Sequence, residues 1–148
     1  MKKLLITIFC LVIGCGYQPI YQGKNTSDFI FKNIQFSGDN KVNRKIKSII
    51  NFKEENQNNK LNDIILNTSR KIEETSKDSK GQILSYRTTI NLDLTIKNND
   101  KIIKNKIFSK NFSYNNMSNK FDLAKYQDEV ESNIIRKIIE EVIIYLNL

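Results

Sequence analysis

Residues 84–97 read LSYRTTINLDLTIK, and apolar side chains alternate with polar ones along most of this stretch. The even-numbered positions are those expected to face a core: Leu84, Tyr86, Thr88, Ile90, Leu92, Leu94 and Ile96. Successive side chains of a strand point to opposite faces of a sheet. The alternation therefore predicts a long β-strand with one face in a core and the other in solvent.

Further strands are predicted on both sides of this one. Residues 98–100, Asn-Asn-Asp, tolerate left-handed backbone and predict a tight turn, after which residues 102–114 return as the partner strand. Residues 28–36 (DFIFKNIQF) are rich in aromatic and β-branched side chains and predict a first strand. Residues 61–74 predict a second strand, followed by a connecting loop over 75–81. Polar residues 54–60 are expected to form a loop.

Two amphipathic helices complete the predicted fold. Apolar side chains at helical spacing predict a helix from Val42 to about residue 52, capped by Asp39 or Asn40. A longer one is predicted from residue 121 to the end, capped by Ser118 or Asn119. A mostly antiparallel four-stranded sheet with both helices packed on one face would bury every apolar stripe. The expected fold is therefore an α+β two-layer sandwich.

The N-terminus has the pattern of an export signal. Lys2 and Lys3 precede an apolar run over 4–13, and a small residue, Gly14, stands directly before Cys15. A cysteine after that small residue is typical of a bacterial lipoprotein signal, in which the thiol receives diacylglycerol before cleavage. We therefore predict a signal peptide over 1–14, a lipid-anchored extended leader over 15–27 and a single α+β domain over 28–148. An ordinary secretory signal with a chance cysteine is the alternative.

This prediction constrains the compartment and the chemistry. Cys10 would be lost with the signal, so the mature chain would hold one acylated cysteine and no intramolecular disulfide. Gly16 stands where an aspartate commonly retains lipoproteins in the inner membrane of enteric bacteria, which favours the outer membrane. The covalent lipid on Cys15 is the only cofactor expected.

The composition gives little support to an enzyme. The chain has no histidine, and we find no glycine-rich phosphate loop. Its acidic pairs are adjacent in sequence rather than spaced as metal ligands, so we predict no metal site. A Ser–Lys nucleophile of a lipid-anchored hydrolase is an alternative, but 20 lysines make chance pairings common. Abundant Lys, Asn and Ile indicate an AT-rich genome, so the net charge of +8 is partly compositional and does not indicate nucleic acid.

Nearly the whole mature chain resembles the LPS-assembly lipoprotein family, LptE, in its alphaproteobacterial form. The similar segments are CGYQPIY over 15–21 and FSYNN over 112–116, followed by a terminal helix with Ala124 and Tyr126. The resemblance implies a non-enzymatic outer-membrane lipoprotein, periplasm-facing or inside a barrel lumen. Such a protein partners and plugs the LptD-type β-barrel translocon, supports its assembly and helps deliver lipopolysaccharide to the outer leaflet. A free-standing envelope lipoprotein that binds peptidoglycan or lipid without a barrel partner is the alternative.

The distribution of basic residues suggests where a glycolipid would bind. On the predicted partner strand Lys104, Lys106 and Lys110 share parity with aromatic residues, which would place cations beside rings on one face. Lys97 and Lys101 stand at the preceding turn, and Arg87 is on the wet face of the long strand. We predict these six residues as lipopolysaccharide contacts. The alternative is that the lysines only protect a sheet edge or reflect codon usage.

Overall fold

A computed structural model describes residues 29–58 and 60–148. The predicted signal peptide and leader, with Cys15, lie outside the described residues. Within the described part of the chain the elements follow one another as strands and helices of these bounds: β1 (Phe29–Phe31), β2 (Ile34–Gly38), α1 (Asn40–Ile49), β3 (Phe52–Glu54), β4 (Asp63–Lys77), β5 (Ile83–Asn98), β6 (Lys101–Asn115) and α2 (Lys120–Leu146).

The main sheet has four strands in the order β2-β4-β5-β6. The pairs β4–β5 and β5–β6 are antiparallel, whereas β2 runs parallel to β4 with Ile34 opposite Ile64. Helix α1 packs on β2 and β4, α2 packs on β5 and β6, and the helices contact each other. The predicted α+β sandwich is therefore confirmed, with a mixed sheet. We call the sheet side under the helices the helix face and the other side the open face.

The predicted first strand over 28–36 is wrong in one respect, because the segment forms two short strands. β1 pairs with β3 in a separate two-stranded parallel sheet, and β2 joins the main sheet. The break falls at Lys32 and Asn33. The Lys32 N–H donates to the Asn62 carbonyl at 2.8 Å, and the Asn33 amide donates to the Asp63 carboxylate at 2.7 Å. Partners distant in sequence thus end β1 before β2 begins.

Other boundaries differ by a few residues. Helix α1 ends at Ile49, and β3 occupies Phe52–Glu54, where the helix end and the start of a loop were predicted. β4 continues to Lys77, beyond the predicted end at residue 74, because it remains paired with β5 as far as Ile83. Pairing with a neighbouring strand therefore overrides the polar composition of the segment.

The predicted core positions of β5 are buried along most of the strand. From Thr88 to Ile96 every even-numbered residue is buried on the helix face. Toward the β4–β5 turn Tyr86 is half-buried and Leu84 has 50% of its surface exposed. Core side chains from the other elements include Val42, Ile46, Ile64, Leu66, Phe108, Ile135, Ile138, Ile139 and Val142.

The helix caps and the tight turn agree with the predictions. Asp39 caps α1, accepting from the N–H groups of Lys41 and Val42 at 2.9 Å, and Asn119 caps α2. The turn between β5 and β6 has positive φ at Asn99 (45°) and Asp100 (67°). Asparagine and aspartate accept this left-handed backbone more readily than most residues, so the sequence fits the hairpin.

Gly38 joins β2 to α1 at a point where two backbones meet. Its φ is +87°, and a Cβ built there would lie 1.8 Å from the carbonyl oxygen of Thr68. That same carbonyl accepts the Asp39 N–H at 3.0 Å. Only a residue without a side chain fits this turn, so β2 and α1 depend on glycine here.

Candidate functional site

The open face of the sheet carries a network of small polar side chains. Asn91 on β5 lies at its centre, donating to Ser69 on β4 at 3.1 Å and accepting from Ser109 on β6 at 2.6 Å. Asn105 donates to Asp93 at 2.8 Å on the same face. Neighbouring strands are thus cross-linked by side chains that are exposed or half-buried. The face is mostly polar, although Ile107 of β6, opposite Asp93, is 64% exposed on it. A mostly polar face suits contact with another polar surface.

Arg87 lies on this open face, near the β4–β5 turn. Its Nε donates to the Ser113 hydroxyl at 3.2 Å, and Glu73 is its cross-strand neighbour on β4. The side chain is exposed. It lies at the opposite end of the sheet from Lys97 and Lys101 and on the opposite face from Lys104, Lys106 and Lys110, so it does not join them in one site.

Three of the predicted lysines, Lys104, Lys106 and Lys110, lie on the helix face of β6. Across the pair with β5 they stand opposite Ile96, Leu94 and Ile90, in that order. As the edge strand of the sheet, β6 presents these side chains at the margin of the core, where Lys104 and Lys106 are exposed.

Two of these lysines contact aromatic rings. Lys106 Nζ lies 5.0 Å from the ring centres of Phe108 and Tyr145, and Lys104 Nζ lies 5.5 Å from that of Tyr145. Lys110 instead pairs with Glu141 of α2. The predicted clustering of cations and rings on one strand face is therefore present, and we call Lys104, Lys106, Phe108 and Tyr145 the lysine–aromatic strip. The contribution of Tyr145, from α2, was not predicted.

Lys97 and Lys101 occupy a third position. Lys101 begins β6 directly after the β5–β6 turn, and Lys97 stands next to a register shift that lies between it and Ile96. The six predicted contacts are thus divided among three places. Lys104, Lys106 and Lys110 lie on the helix face of β6, Lys97 and Lys101 flank the β5–β6 turn, and Arg87 lies on the open face.

Sequence reasoning missed a buried ionic cluster between the helices and β4. Glu131 of α2 is 1% exposed, and its carboxylate meets Arg70 at 2.8 Å and Lys41 at 2.6 Å. Lys41 also contacts Asp128 at 3.0 Å, and Arg70 contacts Asp39 at 3.2 Å. The signal was available in the sequence: Glu131 lies four residues before Ile135, within the apolar stripe of the helix.

Hydrogen bonds and ion pairs in and beside this cluster shift the pKa values of Asp39, Asp128 and Lys41. Burial would raise the pKa of Asp39, but the N–H groups of Val42 and Lys41 and the Arg70 guanidinium lower it below its usual value. Hydrogen bonds from Lys45 and Lys41 lower the pKa of Asp128. Burial lowers the pKa of Lys41, while its bonds to the Glu131 and Asp128 carboxylates outweigh burial and raise it. These shifts favour the ionised forms of Asp39, Lys41 and Asp128, and the ion pairs of Lys41 hold α1 against α2.

A second buried polar group fixes the turn after β2. Thr68 donates to the side-chain oxygen of Asn43 at 2.8 Å, and the Asn43 amide donates to the Ser37 carbonyl at 3.1 Å. Both side chains are buried. The two side chains satisfy each other's hydrogen-bonding groups and a backbone carbonyl, so we interpret their role as structural rather than catalytic.

Residues 29–58 and 60–148 contain no group of three or more His, Cys, Asp or Glu side chains placed to hold a metal ion. Neither helix combines the length and the apolar character needed to cross a membrane.

The fold is similar to that of two solved lipoproteins. Rare lipoprotein B from Shewanella oneidensis matches with a TM-score of 0.52 and 10% identity, over 74% of this chain and 92% of that one. A minor lipoprotein from Acinetobacter baumannii matches with a TM-score of 0.51 and 10% identity, over 78% of this chain and 90% of that one. At this identity the likeness concerns the fold. No protein-family model and no curated protein matches the sequence.

Proposed function

We propose that the chain is an outer-membrane lipoprotein, anchored through Cys15, that partners and plugs an LptD-type β-barrel. In this role it supports assembly of the barrel and delivery of lipopolysaccharide to the outer leaflet. The observation that carries the proposal is the combination of a lipoprotein signal at Cys15 with a fold similar to that of two solved lipoproteins.

The open face supports the barrel partnership. Its cross-linked polar side chains, such as Asn91 with Ser69 and Ser109, form a surface that the helices leave uncovered. A barrel lumen is lined by polar side chains, because strand residues alternate between lipid and lumen. Polar surfaces of this kind can exchange hydrogen bonds and bridging water with each other.

The lysine–aromatic strip supports glycolipid contact. Ammonium groups of Lys104 and Lys106 would pair with phosphate groups of lipopolysaccharide, and the half-buried ring of Tyr145 would pack against its sugar or acyl parts. The ring of Phe108 is buried in the core and would support the strip from beneath. Lys110 is already paired with Glu141, so we assign it a smaller part.

Co-purification tests the barrel partnership. The tagged lipoprotein should recover a large β-barrel after mild detergent extraction, and Ser109→Arg on the open face should lower that recovery about tenfold or more, an effect worth about 1.4 kcal/mol. Ser48→Arg on the exposed side of α1 is the matched control and should leave it unchanged. Failure of the unmodified protein to recover any barrel contradicts the proposal. Recovery with cell-wall sacculus instead would favour the free-standing alternative.

Charge reversal tests the strip separately. Lys104→Glu with Lys106→Glu should weaken lipopolysaccharide binding by the purified lipoprotein, because both cations would become anions facing phosphate. Lys120→Glu with Lys125→Glu, at exposed positions of α2, changes the net charge equally. Equal loss in the two double variants would show that only net charge matters and would remove the strip from the proposal.

A further inference from the structure

The described chain enters the fold at the same end of the sheet as the β5–β6 turn. The Lys32 N–H donates to the Asn62 carbonyl at 2.8 Å, and Asn98, beside the turn, donates to the Asn62 side chain at 3.0 Å. The strand register gives the same result. Ile34 at the start of β2 is paired with Ile64 of β4, which is in turn paired with Ile96 near the end of β5. The segment that leads back toward Cys15 therefore starts from the turn end.

Two consecutive isoleucines stand out at this end. Ile102 is 57% exposed and Ile103 is 50% exposed. The register shift beside Lys97 pairs Ile102 with Lys97 and Lys104 with Ile96, which leaves Ile103 as the extra residue of a bulge. Ile102 stands opposite Lys97, and Ile103 is the unpaired residue of the bulge, so the tip presents two neighbouring apolar side chains to solvent. We call residues 97–104 the hairpin tip.

The charge of the sheet differs between its two ends. The ten residues 97–106 hold four lysines, Lys97, Lys101, Lys104 and Lys106, and one acid, Asp100. The ten residues 73–82, which form the opposite turn, hold three acids and two lysines. Two strongly exposed isoleucines and an excess of basic charge thus coincide at the end where the chain enters the described fold. This combination suits the interface of a membrane with anionic head groups.

We propose that the hairpin tip docks on the anionic phospholipid surface of the leaflet that holds the lipid anchor. The proposal rests on the lipidation of Cys15 that the proposed function assumes, and it does not require the barrel. Covalent geometry makes the contact reachable, since the 14 residues from Cys15 to Phe29 span at most about 50 Å. The lipid anchor would hold the protein at the membrane, and the bound tip would set its orientation. The strands β5 and β6 would then extend away from the membrane surface.

The absence of tryptophan from the chain allows a direct test. Ile103→Trp places a single fluorescent reporter at the tip, and Leu84→Trp places one at the opposite end, where the native residue is equally exposed at 50%. Each mature lipoprotein is reconstituted into vesicles of phosphatidylcholine, with or without phosphatidylglycerol, that contain brominated acyl chains. Bromine should quench the tip reporter in the anionic vesicles and leave the Leu84→Trp reporter unquenched.

Charge reversal supplies the second arm of the test. Lys101→Glu should lower the equilibrium constant for binding of the tip to anionic vesicles, followed by quenching of the Ile103→Trp reporter, about fivefold for each charge unit removed. Lys80→Glu in the opposite turn should leave this constant unchanged. Equal quenching at both reporters, or none at the tip, overturns the proposal. Quenching that is independent of phosphatidylglycerol overturns its electrostatic part. Intact mass reports the acylation of Cys15 separately: an unacylated protein lost from the vesicles would contradict both the anchor and the tip.

Discussion

Replacing Gly38 by alanine should destabilise the fold far more than the same change at Gly81. Both glycines have positive φ, +87° at Gly38 and +80° at Gly81. At Gly81 the added Cβ meets nothing within 4 Å, whereas at Gly38 it would lie 1.8 Å from the Thr68 carbonyl oxygen. The pair therefore separates the cost of the backbone conformation from the cost of the close approach.

The expected magnitudes follow from this geometry. The left-handed conformation costs an alanine about 1 kcal/mol, which is the whole effect expected at Gly81. At Gly38 an ordinary carbon–oxygen contact of about 3.3 Å requires β2 and β4 to move apart by about 1.5 Å. That shift breaks the bond from the Asp39 N–H to Thr68 and disturbs the pairing beside it, adding about 2–3 kcal/mol. The total for Gly38→Ala is about 3–4 kcal/mol.

Thermal unfolding followed by far-ultraviolet circular dichroism measures the difference. For a domain of this size, Gly81→Ala should lower Tm by about 4 °C and Gly38→Ala by about 12–16 °C. Chemical denaturation should give the same order of stability. Equal losses in the two variants would refute the argument that backbone contact at Thr68 requires glycine.

Three further predictions concern the core and its charges. Glu131→Gln should cost about 3 kcal/mol of unfolding free energy because it breaks a buried ion pair, whereas exposed Glu129→Gln should stay within about 0.5 kcal/mol in urea denaturation. The fold lowers the pKa values of Asp39 and Asp128, so the stabilisation from these carboxylates is present above their unfolded pKa near 4 and is lost as pH falls through the folded pKa values. Urea midpoints measured from pH 6 to pH 2 should therefore decrease in that window. Unchanged midpoints would contradict this prediction. Leu94→Ala, at a fully buried position, should cost about 2–5 kcal/mol by the same denaturation assay.

The parts of the fold that sequence predicted are those governed by local pattern. β5 was predictable because its alternation spans a whole strand, and its turn was predictable from the asparagine and aspartate that accept positive φ. The caps at Asp39 and Asn119 follow from side chains that bond to the next few N–H groups. In each case the decisive partners lie within a few residues.

The parts that sequence did not predict depend on distant partners. The split between β1 and β2 is determined by bonds from Lys32 and Asn33 to residues about thirty positions away. The parallel pairing of β2 with β4 has no local signal, because a strand looks alike in either direction. β3 has only three residues, too few for a periodic pattern.

The candidate site shows the same division. Strand parity correctly placed Lys104 and Lys106 on the face of Phe108, because parity is a local property of β6. It could not place Tyr145 beside them or pair Lys110 with Glu141, since both contacts require the packing of α2 on the sheet. Arg87 is separated from Lys97 and Lys101 by the length of its strand, and from Lys104, Lys106 and Lys110 by lying on the other face of the sheet.

The parallel pairing of β2 with β4 has a consequence for how the chain folds. β4, β5 and β6 are joined by short turns, so they can pair as soon as each is available. β2 meets β4 only after a loop of about thirty residues, including α1, has closed, which costs more chain entropy. We therefore expect β4, β5 and β6 to pair first and β2 to join the edge of the sheet last. Most of the sheet would then be complete before the N-terminal segment, the one that carries the proposed anchor, joins it.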